Sequence, residues 1–235
     1  MNAPRYWAVV PAAGVGRRMG AELPKQYLQI GGRCIIEHTL DCLASHPRIA
    51  GVVVAVARDD GYWPEVAAGL SCSPIIAEGG AERCQSVLNA LTVLSEHANQ
   101  DDWVLVHDAV RPCLSHGDID RLMTTLTGDP EGGLLGMPVR DTMKRANGSQ
   151  RVAETVSRDG LWHAATPQMF PLGRLRQVLT DAIARGLMVT DEAQAVELAG
   201  GAPRMVEGSA GNIKITRPQD LELAAFYIER RDGES

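Results

Sequence analysis

The sequence predicts an α/β protein built on a doubly wound, mostly parallel sheet. Three observations carry this: short apolar runs of strand length, several rich in valine; segments of helical apolar spacing between them; and a glycine-rich turn directly after the first run. Parallel strands need crossover connections, and helices on both faces make such strands apolar throughout instead of alternating.

The candidate strands, in order, are Tyr6–Ala12, Gly51–Ala57, Pro74–Ala77, Trp103–His107 and Leu134–Val139. Helical spacing links Ile35, Ile36, Thr39, Leu40 and Leu43, then Val87, Leu88, Leu91 and Leu94, then Ile119, Leu122, Met123 and Leu126. After Val139 the alternation breaks. Arg140–Gly160 is polar, with Asn147-Gly148 at its middle between residues able to pair, which predicts a projecting β-hairpin. So little apolar content makes no core of its own, so the hairpin is expected to pack on a second subunit as a dimerisation arm; the alternative is an arm free in solvent. Leu172–Ala184 and Asp191–Ala199 then read as helices, Arg204–Val206 and Asn212–Ile215 as short strands, and Pro218–Arg230 as a closing helix. At 235 residues the chain is expected to form one domain, residues 1–235, with 140–160 as its arm.

Composition narrows the function classes. With 45% hydrophobic and 22% charged residues the chain can build a real core, which excludes disordered and collagen-like classes. A formal charge of −6 argues against a broad nucleic-acid footprint, which needs clustered Lys and Arg. No apolar stretch approaches a membrane span and the amino end lacks an export signal, so a cytoplasmic protein is expected. The five cysteines contain no C-x-x-C pair, which suggests reduced thiols and neither a zinc knuckle nor a disulfide framework.

The richest feature is Pro11-Ala12-Ala13-Gly14-Val15-Gly16-Arg17-Arg18-Met19-Gly20, leading through Leu23-Pro24 to Lys25. Ligands in an open α/β sheet bind outside the carboxyl ends of strands, where this turn falls. Its glycines let backbone N–H groups approach anionic oxygens, and Arg18 and Lys25 add full positive charge, so it reads as a polyphosphate cradle. A dinucleotide fingerprint fails because Met19 stands where the third glycine belongs, and a Walker A loop fails because Lys25 lies between Pro24 and Gln26. The bland alternative is a tight strand-to-helix turn with solvated arginines.

A second constellation, Val106-His107-Asp108-Ala109-Val110-Arg111-Pro112, follows the fourth strand. Asp108 is the candidate ligand for Mg²⁺, a hard ion that bridges carboxylate to phosphate; pairing with Arg111 or capping a turn is the alternative. His107, ending an apolar strand, reads as a hydrogen-bonded structural residue. Gly79-Gly80-Ala81-Glu82-Arg83-Cys84-Gln85-Ser86 also follows a strand and opens a helix, offering amides and the Ser86 hydroxyl to a base or anion, or simply starting a helix. Thr142, Lys144, Arg145, Arg158, Thr166 and Lys214 are further groups suited to a phosphorylated substrate, each otherwise a surface residue.

Together these segments resemble the 2-C-methyl-D-erythritol 4-phosphate cytidylyltransferase family, often called IspD. The resemblance runs through Pro11–Met19 with Pro24-Lys25-Gln26-Tyr27, Gly79–Ser86, Val104–Cys113, Pro138–Arg145, Arg158–Gln168, Thr190-Asp191-Glu192-Ala193 and Val206–Asp220, nearly the whole chain in order. It implies a Rossmann-like nucleotidyltransferase sheet, an arm interlocking two subunits, CTP and methylerythritol phosphate as substrates, and Mg²⁺. By motif, Ala12, Ala13 and Gly14 with Gly80, Ala81 and Ser86 would hold the cytidine portion, mainly through backbone groups. Arg18, Lys25, Arg158 and Lys214 would be the catalytic cations, with Asp108 by the metal. Arg111, Thr166 and Lys214 would line the sugar-phosphate site, and Thr142 and Arg158 would reach in from the partner's arm. Two departures stand out: Ala81 where the family often carries an acidic residue, and Val110 in place of the more usual alanine. Rival readings are another nucleotidyltransferase on the same sheet, such as a sugar-1-phosphate or molybdopterin enzyme, and a non-catalytic nucleotide-binding regulator.

Overall fold

The computed structural model describes residues 4–14 and 23–233. Apolar β1 (Tyr6–Pro11) is followed by a 3₁₀ turn at Lys25–Tyr27, a small hairpin of β2 (Gln29–Ile30) and β3 (Arg33–Cys34), and α1 (Ile35–Ala44). Then come β4 (Ile49–Val56), α2 (Trp63–Gly69), β5 (Ile75–Glu78), α3 (Arg83–Leu94), β6 (Trp103–Val106), α4 (His116–Leu126) and β7 (Gly133–Pro138). The chain continues with β8 (Met143–Ala146), β9 (Val152–Val156), β10 (Trp162–Pro171), α5 (Leu172–Ala184), α6 (Glu192–Leu198), β11 (Arg204–Glu207) and α7 (Asp220–Gly233).

Seven strands form one sheet in the order β11-β7-β10-β6-β1-β4-β5. The β1–β4, β1–β6, β4–β5 and β7–β11 pairs are parallel, whereas β10 runs antiparallel to both neighbours. Alternation within β1 shows why the sheet is wound on both sides. Tyr6, Ala8 and Val10 join a core with Ile36 and Leu40 of α1 and Ile119 and Leu122 of α4. Trp7 and Val9 face the opposite core, with Val87 and Leu91 of α3, Leu175 and Leu179 of α5, and Val196 of α6. Both faces of β1 are thereby removed from water, the dominant favourable contribution to such a fold. A third cluster seats Ala224 and Ile228 of α7 on Ile30, Ile35 and Ile215.

The expected hairpin is present as a separate two-stranded sheet of β8 and β9, its turn held by Asn147 Oδ1 accepting from the amides of Ser149 and Arg151. One expectation needs correction, and one strand was not expected at all. Asn212–Ile215 is not a strand: it is an extended strap tied to the β6 loop by one backbone bond, from Ile215 N–H to the Val110 carbonyl at 2.9 Å. Trp162–Pro171, unrecognised in the sequence, is a central strand. Its polar residues and Pro167 disguise it, yet Thr166 and Gln168 are buried because their side chains find partners on His107 and Asp191. The ladder from β10 to β7 is interrupted between Ala164 and Gln168, the stretch that contains the proline. Among the described residues no helix is long and apolar enough to cross a membrane.

Candidate active site

Going outward from β1, the chain first adds β4 and β5 on one side and then crosses to place β6 on the other. The loops leaving β1 and β6 therefore diverge and open a crevice at the carboxyl ends of these strands, the place where doubly wound sheets bind ligands. A cavity of about 680 Å³ occupies it. Its walls come from Pro11–Gly14 after β1, Lys25 and Gln26, Gly80–Arg83 and Ser86 after β5, Asp108–Val110 after β6, and Lys214–Thr216 of the strap.

Close packing fixes the glycine pair of the wall after β5. A Cβ on Gly79 would collide with Ala13 Cβ of the β1 loop, and one on Gly80 would collide with Gln85 Cβ in the first turn of α3, so glycine is required at both positions. Ser86 Oγ accepts the Gly80 N–H at 3.0 Å and donates to the Glu82 carbonyl at 3.2 Å, so the hydroxyl braces the loop from within. The backbone of Ala12 is likewise committed: its N–H donates to the Ala55 carbonyl at 2.8 Å and its carbonyl accepts from Gln26 Nε2 at 2.7 Å. Lys25 reaches across to donate to the Thr216 carbonyl at 3.0 Å, closing the cavity's rim.

The far wall is a charge cluster around Asp108. Its Oδ1 accepts from Arg83 Nε at 3.1 Å; its Oδ2 accepts from Lys214 Nζ at 2.8 Å and lies 3.5 Å from Arg111 Nε, within ion-pair range without hydrogen-bond geometry. Burial alone would raise the Asp108 carboxyl, but Arg83, Lys214 and Arg111 outweigh it and hold it well below the usual carboxylate range. Burial lowers the Arg111 guanidinium, with Asp108 pulling the other way.

Behind this wall a buried network sets its position. His107 Nε2 lies 3.0 Å from the Arg111 carbonyl, which can only accept, so Nε2 carries the proton. Nδ1 then accepts from the Thr166 hydroxyl at 3.0 Å, and that oxygen in turn accepts the Asp108 N–H at 3.0 Å. His107 is thus structural, as its sequence context suggested, and burial pushes its pKa down to about 4, against opposing hydrogen bonds and the Asp108 charge. Asn212 donates from Nδ2 to the Thr166 carbonyl at 2.7 Å and accepts from Arg111 Nη1 at 2.8 Å through its own carbonyl.

Of the residues singled out from sequence, Ala12, Ala13, Gly14, Lys25, Gly80, Ala81, Ser86, Asp108 and Lys214 share the cavity wall. Arg111 and Thr166 do not line it; they brace Asp108 from behind. Thr142 and Arg158 flank the hairpin strands, exposed, with the Arg158 guanidinium donating to the Arg140 carbonyl of the same chain. Arg18 and Gly16 lie outside the described residues. Sequence reading missed Arg83, Gln26 and Thr216 as wall residues and Glu192 and Asn212 as supports.

Both oxygens of Asp108 accept from cations, Arg83 and Lys214, with the Arg111 of the pairing alternative at ion-pair distance, and no group of three His, Cys, Asp or Glu suited to a metal occurs among the described residues.

A family model described as IspD, 2-C-methyl-D-erythritol 4-phosphate cytidylyltransferase, matches residues 6–230. The chain belongs to the IspD family. A relative from Ectopseudomonas mendocina bearing that enzyme name is 55% identical over 228 residues, covering 96% of this chain and 97% of the relative. Another from Pseudomonas entomophila is 54% identical over 224 residues, 93% of this chain and 94% of its own. A crystal structure of 4-diphosphocytidyl-2C-methyl-D-erythritol synthase superposes with a TM-score of 0.85 at 34% identity, covering 97% of this chain and all (100%) of that one. The Francisella tularensis IspD structure gives 0.82 at 35%, covering 95% and 99%. These IspD structures share the mixed sheet described above, including its largely parallel order.

Proposed function

We propose that the protein transfers the cytidylyl group of CTP to 2-C-methyl-D-erythritol 4-phosphate, giving 4-diphosphocytidyl-2-C-methyl-D-erythritol and pyrophosphate in the non-mevalonate route to isoprenoid precursors. The observation that carries this reading is the switch-point cavity walled by Lys25, Lys214 and glycine-opened loops in a chain of the IspD family. The attacking group is a phosphate oxygen, already ionised near neutral pH, so no general base is required to make the nucleophile. It attacks the α-phosphorus of CTP in line, forming the new P–O bond as the bond to pyrophosphate breaks. The obstacle is repulsion between anions, and catalysis reduces to positioning and preorganised positive charge. Lys25 on one rim and Lys214 on the other, with Arg18, supply that charge. The amides of Ala13 and Gly14 and of the Gly80-Ala81 loop hold the nucleotide. Arg111 and Thr166 shape the acceptor side through Asp108. A divalent cation, taken as Mg²⁺, would in this reading offset part of the negative charge of the triphosphate.

The exposed hairpin β8–β9 is read as the arm of a homodimer that carries Thr142 and Arg158 to the partner's cavity, and the soluble phosphorylated substrates suit a cytoplasmic enzyme. Release of pyrophosphate, screened over CTP, UTP, GTP and ATP with several acceptor phosphates, tests the reaction: turnover is expected with CTP and methylerythritol phosphate together. Tight CTP binding without product would favour the regulator reading. The shared site has its own test. Inactive Arg158→Ala chains mixed with inactive Lys25→Ala chains should regain one working site per mixed dimer; no recovery despite demonstrated subunit exchange would exclude it.

A further inference from the structure

The motifs Arg83 and Thr190-Asp191-Glu192-Ala193 have no part in the reaction as argued so far, yet they meet at the cavity's back wall. Glu192 opens α6, and its side chain is 1% exposed. Its carboxylate accepts from Arg83 Nη1 at 2.6 Å and Nη2 at 3.2 Å, while Arg83 Nε donates to Asp108. The helix start is clamped on both sides. Asp191 accepts the Gln194 N–H at 2.9 Å; Gln168 of β10 accepts the Ala193 N–H at 2.8 Å and donates to Asp191 at 3.0 Å. Glu192 is therefore an anchored carboxylate that does not itself line the cavity, whereas Arg83, Asp108 and Lys214 do.

Three cations, Arg83, Arg111 and Lys214, surround the single carboxylate of Asp108. A guanidinium prefers to grip a carboxylate through two parallel N–H bonds. Here that fork is already taken by Glu192, so Arg83 touches Asp108 with Nε alone and leaves Oδ2 to Lys214. We propose that Glu192 is a positioning residue for nucleotidyl transfer: by holding the Arg83 fork it keeps Asp108 oriented to present the Lys214 ammonium at the cavity wall. This rests on the reaction proposed above for the same site. Without the carboxylate, Arg83 is free to take Asp108 with its own fork and displace Lys214; without both residues, Asp108 loses the Nε bond on Oδ1 that fixes the direction in which Oδ2 meets Lys214.

The test compares Glu192→Gln with the double variant Arg83→Met/Glu192→Gln, which removes both members of the buried pair and keeps the interior free of an uncompensated charge. Steady-state kinetics with CTP and methylerythritol phosphate should show kcat lowered ~10- to 10²-fold in both, the scale of a misplaced catalytic group, with KM for CTP within about threefold of wild type. A second readout needs no turnover. The chain has three lysines, Lys25, Lys144 and Lys214, so selective ¹⁵N labelling of lysine gives a spectrum assignable by single substitutions. The Lys214 ammonium signal should move in both variants while that of Lys144, on the hairpin, stays. A double variant with wild-type kcat, a loss confined to KM, or an unmoved Lys214 signal would each overturn the proposal. Absence of turnover in the wild type would instead sink the reaction assignment, and the lysine spectra would still decide the role of Glu192. Should Glu192→Gln fail to fold, the double variant carries the same readouts.

Discussion

The wall around Asp108 and the hairpin β8–β9 both hold their shape with charged side chains, but under opposite conditions. Asp108 is 9% exposed at its side chain and Glu192 1%, whereas the Arg145–Glu154 pair of the hairpin, at 2.5 Å, is 65% and 56% exposed. In water an ion pair is screened and worth little; in the interior each charge is costly unless every partner is in place. The wall is therefore a set of side chains that stand or fall together. The hairpin is held by its own ladder and by its turn.

That contrast can be broken most forcefully at Asp108. Asp108→Ala should leave Arg83, Arg111 and Lys214 facing one another and lower stability by ~3–5 kcal/mol in urea unfolding, the cost of removing one partner from a buried pair. A loss below ~1 kcal/mol would mean that the wall is solvated like a surface pair.

Lys25 separates charge used for catalysis from charge used for folding. Lys25→Ala should fold normally and lose turnover by ~10²–10³, equivalent to ~3–4 kcal/mol of lost transition-state stabilisation. Near-wild-type turnover would remove Lys25 from its assigned role.

The buried histidine gives the wall a pH signature. His107 is neutral in the fold with a pKa of about 4, against an ordinary value of 6.5, so below the ordinary value the unfolded chain takes up a proton that the folded chain refuses. Its contribution is complete above pH 6.5 and is lost as pH falls toward 4, amounting to ~3 kcal/mol across that window. Urea unfolding at stepped pH should show this slope, and His107→Gln should flatten it. An unchanged slope in the variant would assign the pH dependence elsewhere. Asp108 contributes separately at lower pH, because its depressed carboxyl titrates below the ordinary carboxylate value.

The smallest effect belongs to the hairpin. Arg145→Ala should cost less than ~1 kcal/mol, and a larger loss would show that the pair is not screened as its exposure implies.

How much of this was legible in the sequence depended on whether the responsible signal is local. The parallel strands β1, β4, β6 and β7 were readable to within a few residues because burial on both faces imposes an apolar run, and the edge strand β5, with Ile76 exposed, was readable from its short apolar run before a glycine pair. Helices α1 and α4 were readable because the apolar positions marked in each are the ones buried. Strand β10 escaped because Thr166, Pro167 and Gln168 break the apolar pattern, and what permits their burial is hydrogen bonding to distant residues. Helix α2 escaped because Pro64 at its start and its seven residues, Trp63–Gly69, offer too short a period. The same distinction holds in the site. Loops that end a strand with glycines announced the cavity, including Gly14, Gly80 and Lys25. The Arg83–Glu192 pair, 109 residues apart in the chain, carries no local signal, and the strap at Asn212–Ile215 is held by contacts to the β6 loop and not by a ladder. Ala81 lines the cavity without a side-chain hydrogen-bonding group, which leaves its backbone as the contact available to a nucleotide.

A crystal structure of the protein with CTP tests the central claim most directly. The triphosphate should lie in the crevice between the β1 and β6 loops, with phosphate oxygens within hydrogen-bond distance of Lys25 and of the Gly14 or Ala13 amide. Phosphates bound away from that crevice, with Lys25 still donating to Thr216 and touching no nucleotide, would contradict it.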